Sequence, residues 1–422
     1  MRPIPGRKGP FVALVAGHAV SLTGNMLTLV AVPLYVLATT GSAAAMGLVG
    51  AFATAPLVIG GAFGGVLADR IGYRRTGVVA DTLAGVTIVA VPLLEWSVGL
   101  PFWALAALVF AAGLFDSPGQ TARSALLPEI AAAAGVSIER AVGVYEATER
   151  GARLVGAPLA GLLVAGFGPV SVLALDSATF FAAAVLLAVL VPKAVVPARG
   201  DDGGEPGAGR HDRGYWREFA AGLRFLSREP LLRAIVALVL VTNVFDAAKS
   251  TVLLPLVAQR ELGGATTLGI LIGVSGGGAL VGALAFSAFA HRFPRRATFV
   301  VAFTLVGAPP FLALAAKAPL PVVIGVFAVS GVAAGAVNPI IGSIKLERVP
   351  AGMRARVYGV ITAGSWLAMP LGSVGAGLAV TSFGATSTLT GMAICYLLVT
   401  LSPLLGGPWR SMRRPAVEAQ TR

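Results

Sequence analysis

Charged residues are scarce in this sequence of 422 residues: only 12% are Asp, Glu, Lys or Arg. A soluble globular domain carries about twice that fraction, roughly 25%. Hydrophobic residues make up 56% of the chain, and the mean hydropathy is +0.84. One water-soluble core cannot bury this much apolar surface, and a disordered chain would have far less of it. The composition therefore excludes both classes and indicates an integral membrane protein.

Cysteine and the motifs of metal or nucleotide chemistry are also lacking. The single cysteine, Cys395, excludes an internal disulfide and a multi-cysteine metal site, and we expect it to be a passive core residue. The three histidines are widely scattered, and no H-E-x-x-H, C-x-x-C or G-x-x-x-x-G-K-[ST] pattern occurs. The glycine-rich stretch Gly276–Gly282 has no strand before it, so we interpret it as a helix-packing face. We predict a protein that is not an enzyme and that carries no cofactor and no metal.

Long apolar runs organise the chain. A membrane-spanning helix needs about 20 apolar residues, and the sequence predicts an all-α integral membrane fold with twelve transmembrane helices. The predicted segments are 11–38, 44–68, 77–95, 102–123, 141–166, 169–192, 231–259, 266–290, 297–316, 319–344, 355–379 and 384–406. The first run is too long for the apolar part of a secretory leader, so we expect an uncleaved first span.

The net charge of +13 is distributed unevenly over the loops between these segments. Of the 32 Lys and Arg residues, 27 fall in the termini and the loops on their side. Only Arg260 and Lys317 fall in the opposite loops, and three lie within segments. Cytoplasmic loops carry the basic excess in membrane proteins. We therefore expect a multi-pass protein of the cell membrane with both termini in the cytoplasm, and no nucleic-acid partner. The 27 Arg against 5 Lys are typical of a GC-rich bacterial genome.

The two halves of the sequence match each other at a constant offset, 255 − 33 = 222 residues for Pro33 and Pro255. The other equivalent pairs include Arg70 and Arg292, Arg74 and Arg296, Asp116 and Asn338, and Arg123 and Lys345. The duplication divides the chain into a six-helix half (1–192), a linker (193–230), a second six-helix half (231–406) and a tail (407–422). Two homologous six-helix halves are typical of secondary transporters, which hold substrate between them near the midplane.

The amino-acid composition of the linker (193–230) changes along its length. Residues 193–214 are rich in Gly, Asp, Pro and Arg, and we interpret them as a flexible cytoplasmic segment. Residues 215–229 then place four apolar side chains at helical spacing: Trp216, Phe219, Leu223 and Leu226. This spacing predicts an amphipathic helix on the inner membrane surface. A simple extension of the seventh span is the alternative.

One loop carries a specific motif. Between the second and third segments, on the predicted cytoplasmic face, the sequence reads Gly65-Val-Leu-Ala-Asp69-Arg70-Ile-Gly72-Tyr73-Arg74-Arg75. It resembles the G-x-L-a-D-R-x-G-[RK]-[RK] signature of the major facilitator superfamily, with Tyr73 where the family usually has a base. The second-half copy is degraded and has His291 in place of the aspartate.

Further stretches resemble the efflux branch related to enterobactin and macrolide exporters. They are Ser21-Leu-Thr-Gly-Asn25, Ala31-Val-Pro33-Leu, Thr40-Gly41-Ser42 and Arg348-Val-Pro350-Ala-Gly-Met-Arg354-Ala-Arg356-Val. The resemblance covers about residues 11–406. It implies a major facilitator fold of two pseudo-symmetric halves and a monomeric, proton-coupled exporter of small amphipathic molecules such as a drug, a macrolide or a siderophore-like compound. A nutrient importer or facilitator and a non-transporting receptor are the alternatives. The chain has only three glutamines, which favours an apolar substrate over a sugar-like one.

The resemblance also implies a gate at the signature loop, formed by Gly65, Asp69, Arg70, Gly72, Arg74, Arg75 and Arg123. Gly72 permits a tight turn. Asp69 is expected to cap the neighbouring eleventh span and to latch the halves together on the cytoplasmic side. Arg123, which we expect at the cytoplasmic end of the fourth span, is its candidate partner. The alternative is that these charges only set the topology.

In this family the first, fourth, seventh and tenth spans line the central cavity, and here each carries polar residues. They are His18, Asn25, Asp116, Asn243, Asp246, Lys249 and Asn338. Polar and ionisable groups inside spans are functional candidates. The alternatives are that Asp246 and Lys249, three residues apart, only neutralise each other, that Asp116 is structural, and that neighbouring backbone satisfies His18 and Asn25.

Proton coupling requires a carboxylate that can be neutralised, and a low-dielectric cavity favours the neutral form. We predict Asp116 as the proton site because no base lies within one helical turn of it. Asp246 and Lys249 are expected to shape the substrate cavity. Asp81 and Asp176 are interpreted as structural groups near the membrane interface, and Glu146–Arg150 and Glu149–Arg153 as structural ion pairs. Pro158, in a stretch that loosely resembles an antiporter element, and Pro370 are expected to kink their helices.

Overall fold

The structure is a computed structural model that describes residues 8–192, 211–289 and 292–412. Its first half is a series of helices joined by short turns, with no strand among the described residues. The helices are α1 Gly9–Thr40, α2 Ala43–Ile71, α3 Tyr73–Ser97, α4 Phe102–Ala133, α5 Ile138–Gly151, α6 Ala157–Phe167 and α7 Pro169–Leu190. The second half begins with the linker helix α8 His211–Arg228 and repeats this pattern. Its helices are α9 Pro230–Ala248, α10 Leu254–Glu261, α11 Ala265–Phe289, α12 Arg295–Ala315, α13 Leu320–Arg348, α14 Arg354–Trp366, α15 Met369–Phe383 and α16 Ala385–Leu401.

Proline divides three of the spanning helices into two pieces each. A π-helical turn, Ala152–Gly156, joins α5 to α6, and a second, Lys249–Leu253, joins α9 to α10. Pro158, Pro255 and Pro370 each lie in the first turn after the irregular segment. Proline lacks the N–H that an uninterrupted helix requires, so the backbone hydrogen-bond ladder shifts at these points. The α-helix is interrupted next to both Pro158 and Pro370, the positions where kinks were predicted.

With these pairs joined, twelve helical bodies remain apart from α8. Ten helices of the described chain are long and apolar enough to cross a membrane. The two others are α2, whose described apolar stretch is the shorter Ala43–Pro56, and the α5–α6 body, where α5 is rich in Glu and Arg. The protein is a multi-pass membrane protein with the all-α architecture that the sequence predicted.

The linker helix α8 is separate from α9, because Glu229 between them leaves the helical conformation and Pro230 opens the next helix. The alternative of an extended seventh span is therefore wrong. A Cβ at Gly222 would lie 2.8 Å from the Arg356 carbonyl oxygen, so α8 packs closely on α14. Leu226 is buried, whereas Leu223 is exposed. The side chains of Trp216 and Phe219 lie outside the described residues.

Three apolar clusters show how the halves meet. We call the face where α1 begins the terminal side, and the face with the α1–α2 turn the far side. One cluster on the far side combines residues of both halves, from Leu27 to Tyr396. On the terminal side the clusters are separate: one contains first-half residues such as Leu126, and the other contains residues from Leu226 onward. Among the described side chains, the two halves therefore share one apolar cluster on the far side and have separate apolar clusters on the terminal side.

Paired glycines bring the halves together on the far side. A Cβ at Gly161 would lie 2.5 Å from the Ala265 carbonyl oxygen and 3.1 Å from Gly269 Cα. A Cβ at Gly47 would lie 2.5 Å from the Ser373 carbonyl oxygen and 3.1 Å from Gly377 Cα. The α6–α11 and α2–α15 contacts thus share one geometry, as expected for a duplicated fold.

Two expectations about small residues have different outcomes. The glycine-rich stretch of α11 is confirmed as a packing face, because a Cβ at Gly282 would overlap the Val332 carbonyl oxygen of α13. Cys395, expected in the core, is exposed on α16. Both the core and the lipid-facing surface of a membrane protein are apolar, so composition alone does not separate them.

Candidate functional site

A buried arginine joins a cluster of polar side chains in the first half. We call this cluster, formed by Arg123, Asp81 and Asp116 with their hydrogen-bond partners, the buried centre. Arg123 on α4 is 1% exposed. Its Nη1 donates to both carboxylate oxygens of Asp81 on α3, at 2.6 and 2.7 Å. Its Nη2 donates to Ser21 Oγ on α1 at 3.2 Å. One side chain therefore joins three helices through charge-assisted hydrogen bonds.

This position corrects the expectation that Arg123 lies at the end of its span as part of the gate. Helix α4 continues to Ala133, so Arg123 is well inside it. Its guanidinium forms an ion pair with Asp81, which is 0% exposed. The sequence prediction ended this span at Arg123 because the apolar stretch ends there. The helix continues further, because a buried ion pair lets a helix contain charged residues beyond its apolar stretch.

Asp116 is the second acid of this centre. Its Oδ2 accepts hydrogen bonds from Asn25 Nδ2 at 3.0 Å and from Gln120 Nε2 at 2.6 Å. Its Oδ1 lies 3.7 Å from Arg123 Nη2 and has no hydrogen-bond partner. Asp116 therefore has a base nearby in space, although none lies within one helical turn along the sequence. The base is two helical turns away in sequence, and the length of the arginine side chain closes that distance.

A third buried acid lies between α7 and α1. Asp176 is 0% exposed and accepts hydrogen bonds from the hydroxyls of Thr28 and Thr179. Gly24 makes this position possible, because a Cβ there would overlap Asp176 Oδ1. Asp81 and Asp176, interpreted as structural groups near the membrane interface, are both fully buried between helices, where hydrogen bonds satisfy them.

His18 lies at the edge of the buried centre that faces the terminal side. Its ring stacks on that of Tyr145 from α5, with centroids 3.8 Å apart and an angle of 7° between the planes. Both ring nitrogens are buried without a hydrogen-bond partner, so the alternative that backbone groups satisfy His18 is wrong. The sequence analysis did not single out Tyr145, which lies in the charged α5 and shows no signal of its own.

The second half carries a different set of polar groups. Lys249 Nζ lies 2.8 Å from Asp246 Oδ1 and 5.7 Å from the centre of the Phe311 ring. Asn243 Nδ2 donates to the Ser365 carbonyl oxygen at 2.8 Å. Asn338, the repeat counterpart of Asp116, is exposed on α13. The predicted Asp246–Lys249 pairing is confirmed, and it lies where the π-helical turn Lys249–Leu253 begins.

Comparison with known families identifies the architecture that holds this centre. The family model described as Major Facilitator Superfamily matches residues 14–263 and 236–421 of the chain. This chain belongs to the major facilitator superfamily. The resemblance carried by the signature loop is thereby confirmed.

Several relatives within the superfamily match the chain over nearly its whole length. The chain is 31% identical, over 98% of its length and 99% of theirs, to proteins named multidrug efflux pump Tap from Mycobacterium tuberculosis and Mycobacterium bovis. It is 30% identical over 93% of its length to a protein of the same name from Mycolicibacterium fortuitum, which is covered to 94%.

Solved structures of the superfamily share the fold. The nucleoside transporter NupG superposes with a TM-score of 0.75 at 14% identity, covering 95% of this chain and 98% of that one. A D-xylose–proton symporter superposes with a TM-score of 0.68 at 16% identity, covering 98% and 99%. At these identities the likeness concerns the fold alone.

The major facilitator signature loop holds neighbouring helices together. Gly72 has φ +88° and starts α3, as the predicted tight turn requires. Arg74 donates from Nε to the Val191 carbonyl oxygen at 2.7 Å, and its repeat mate Arg296 donates from Nε to the Pro403 carbonyl oxygen at 2.9 Å. Arg75 is exposed. The side chains of Gly65, Asp69 and Arg70, and the whole of His291, lie outside the described residues.

Proposed function

We propose that this protein is a proton-coupled exporter of small amphipathic compounds, working by alternating access in a bacterial cell membrane. The full-length similarity to proteins named multidrug efflux pump supports export over nutrient import and over a receptor without transport. The basic excess of the terminal side supports a cytoplasmic location for both termini and for the linker 193–230. With that orientation, the separate apolar clusters of the described residues on the terminal side support a state open to the cytoplasm.

The charge balance of the buried centre supports proton coupling and carries the proposal. Arg123 is one cation facing two carboxylates, those of Asp81 and Asp116, at 2.6 and 3.7 Å. With both acids ionised the three groups bear a net charge of −1, and with one proton bound they are neutral. Burial of a net charge is costly, so the centre favours one bound proton when water is excluded. Access to water removes that preference.

Asp116 is the acid that holds the proton in this scheme. Asp81 receives two short hydrogen bonds from Arg123, which stabilise its ionised form. Asp116 is farther from the guanidinium, and its Oδ1 has no hydrogen-bond partner and can carry a proton. Its side chain is 13% exposed, whereas that of Asp81 is 0% exposed, so Asp116 is also the acid with access to solvent.

The second half supplies the substrate side of the proposal. Asp246 and Lys249 are 36% and 16% exposed, so their charges are accessible while paired. Lys249 Nζ also lies 5.7 Å from the centre of the Phe311 ring, which is itself fully buried and holds the base of the pair against the apolar core. An accessible pair of opposite charges suits a ligand that carries a few polar groups.

Everted membrane vesicles that contain the protein test the function directly. We expect energised vesicles to accumulate some members of a panel of labelled amphiphiles, and a proton uncoupler to abolish the accumulation. Vesicles without the protein provide the background. Accumulation that the uncoupler does not affect would contradict proton coupling. Absence of substrate counterflow in proteoliposomes would indicate a receptor, and accumulation only in right-side-out vesicles an importer.

A further inference from the structure

A basic pocket opens on the terminal side of the second half, away from the buried centre. It has a volume of about 850 Å³ and is lined by Phe293, Pro294, Arg295, Arg296, Ala297, Leu404 and Arg410. It lies where α12 begins and where the chain leaves α16 through the turns Ser402–Leu405 and Gly407–Met412. Three arginines therefore line one concave surface.

The three arginines are held in different ways. Arg295 donates from both Nη atoms to Glu347, at 2.7 and 2.8 Å, so its charge is largely compensated. Arg296 is anchored on the Pro403 carbonyl oxygen, a neutral group that fixes the guanidinium and leaves its charge in place. Arg410 forms no ion pair with any residue in the described ranges. The pocket thus retains about two positive charges.

Apolar side chains surround these charges. Phe293 is 55% exposed and Leu404 is 59% exposed, and both line the pocket. The neighbouring Leu405 is 89% exposed. In a membrane protein, large apolar side chains exposed at the end of a span are at the level where acyl chains meet headgroups. A ligand that satisfies the whole surface is anionic at one end and apolar at the other.

We propose that this pocket binds the headgroup of an anionic phospholipid, with Arg296 and Arg410 contacting the phosphate and Phe293, Leu404 and Leu405 contacting the acyl chains. Guanidinium groups bind phosphate through paired hydrogen bonds, and basic pockets between helices on the cytoplasmic side recognise anionic headgroups. The bound lipid bridges the start of α12 and the segment after α16, which Arg296 already joins through Pro403.

Native mass spectrometry of the delipidated full-length protein tests the site, with phosphatidylglycerol and phosphatidylcholine of identical acyl chains as probes. We expect tighter binding of phosphatidylglycerol, and about fivefold weaker binding for Arg410→Gln, in keeping with the contribution of one arginine near an anionic surface. Arg296→Gln with Arg410→Gln should remove the preference, and Arg410→Lys should retain part of it. Arg140→Gln, which removes an exposed charge elsewhere on the terminal side, is the matched control.

Each outcome decides the proposal. Equal losses in Arg410→Gln and Arg140→Gln would show a general charge effect and overturn a specific site, as would an unchanged preference in the double variant. Competition by inorganic phosphate alone, without dependence on acyl chains, would identify a free-anion site in place of a lipid site. Because Arg410 is exposed, Arg410→Gln should leave folding intact, which an unchanged unfolding temperature verifies.

Discussion

Arg123 and Asp81 are 42 residues apart in sequence, yet the guanidinium of one donates to both carboxylate oxygens of the other in the interior of the first half. In the proposed mechanism, this pair leaves the nearby Asp116 as the acid whose protonation decides the net charge of the buried centre. The ion pair and the proposed proton site then form one unit built from three helices, in which the ion pair positions the acid.

Asp116→Asn should abolish uphill efflux and retain downhill substrate exchange. The amide oxygen can still accept hydrogen bonds from Asn25 and Gln120. The amide group, however, cannot bind and release a proton in exchange for substrate. Transport in proteoliposomes, with and without a proton gradient, measures both activities. If the variant still concentrates substrate under a proton gradient, Asp116 is not the coupling residue.

Arg123→Gln should destabilise the protein strongly, because it leaves the carboxylate of Asp81 buried without a counter-charge. Removal of one partner of a buried ion pair costs about 3–5 kcal/mol. Adding Asp81→Asn removes the orphaned charge, so the double variant should recover much of the loss. Thermal unfolding in detergent gives the comparison, and a double variant no more stable than Arg123→Gln would argue against the pair.

Gly161→Ala should weaken the closed far side, because the added Cβ would overlap the Ala265 carbonyl oxygen at 2.5 Å. Overpacking of this kind costs about 1–3 kcal/mol. The reporter is Ala258→Cys, at a fully buried far-side position, in a Cys395→Ser background because Cys395 is itself exposed. Adding Gly161→Ala should accelerate the alkylation of this cysteine severalfold. Gly166→Ala, with open space around the added Cβ, is the control on the same helix and should not accelerate it.

The topology prediction concerns the side on which α8 lies. Ser227 on α8 and Ser97 at the end of α3 are both exposed and belong to opposite faces of the fold. In the Cys395→Ser background, a thiol reagent that does not cross membranes should label Ser97→Cys but not Ser227→Cys in intact cells. The reverse pattern would invert the orientation derived from the basic residues.

Asp69→Asn should reduce transport while leaving insertion unchanged, because it removes the charge proposed to cap the neighbouring eleventh span. Charge–dipole interactions at helix ends contribute about 0.3–2 kcal/mol, which is enough to shift a balanced conformational equilibrium severalfold. His291→Asn, at the equivalent position of the second half, should have a smaller effect. Transport assays at matched expression compare the two, and equal losses would contradict an asymmetric gate.

Much of the architecture was predictable from composition and periodicity. The apolar runs predicted the spans, and the offset repeat predicted two equivalent halves, which the matching glycine contacts at Gly47 and Gly161 now display. The signature loop identified the superfamily. These features are local or repetitive. A span can be recognised from its own residues, because a helix in lipid must be largely apolar and must satisfy its backbone hydrogen bonds within itself.

The composition of the buried centre was decided by the tertiary structure. The sequence analysis singled out Asp116 from its position but assigned its base, Arg123, to the gate. It assigned Asp81 and Asp176 to the membrane interface and gave no role to Tyr145. Which polar groups meet depends on how the helices pack and rotate, and on close approaches such as that of Gly24 to Asp176. A sequence shows that a polar residue in lipid must have a partner; only helix packing determines which one.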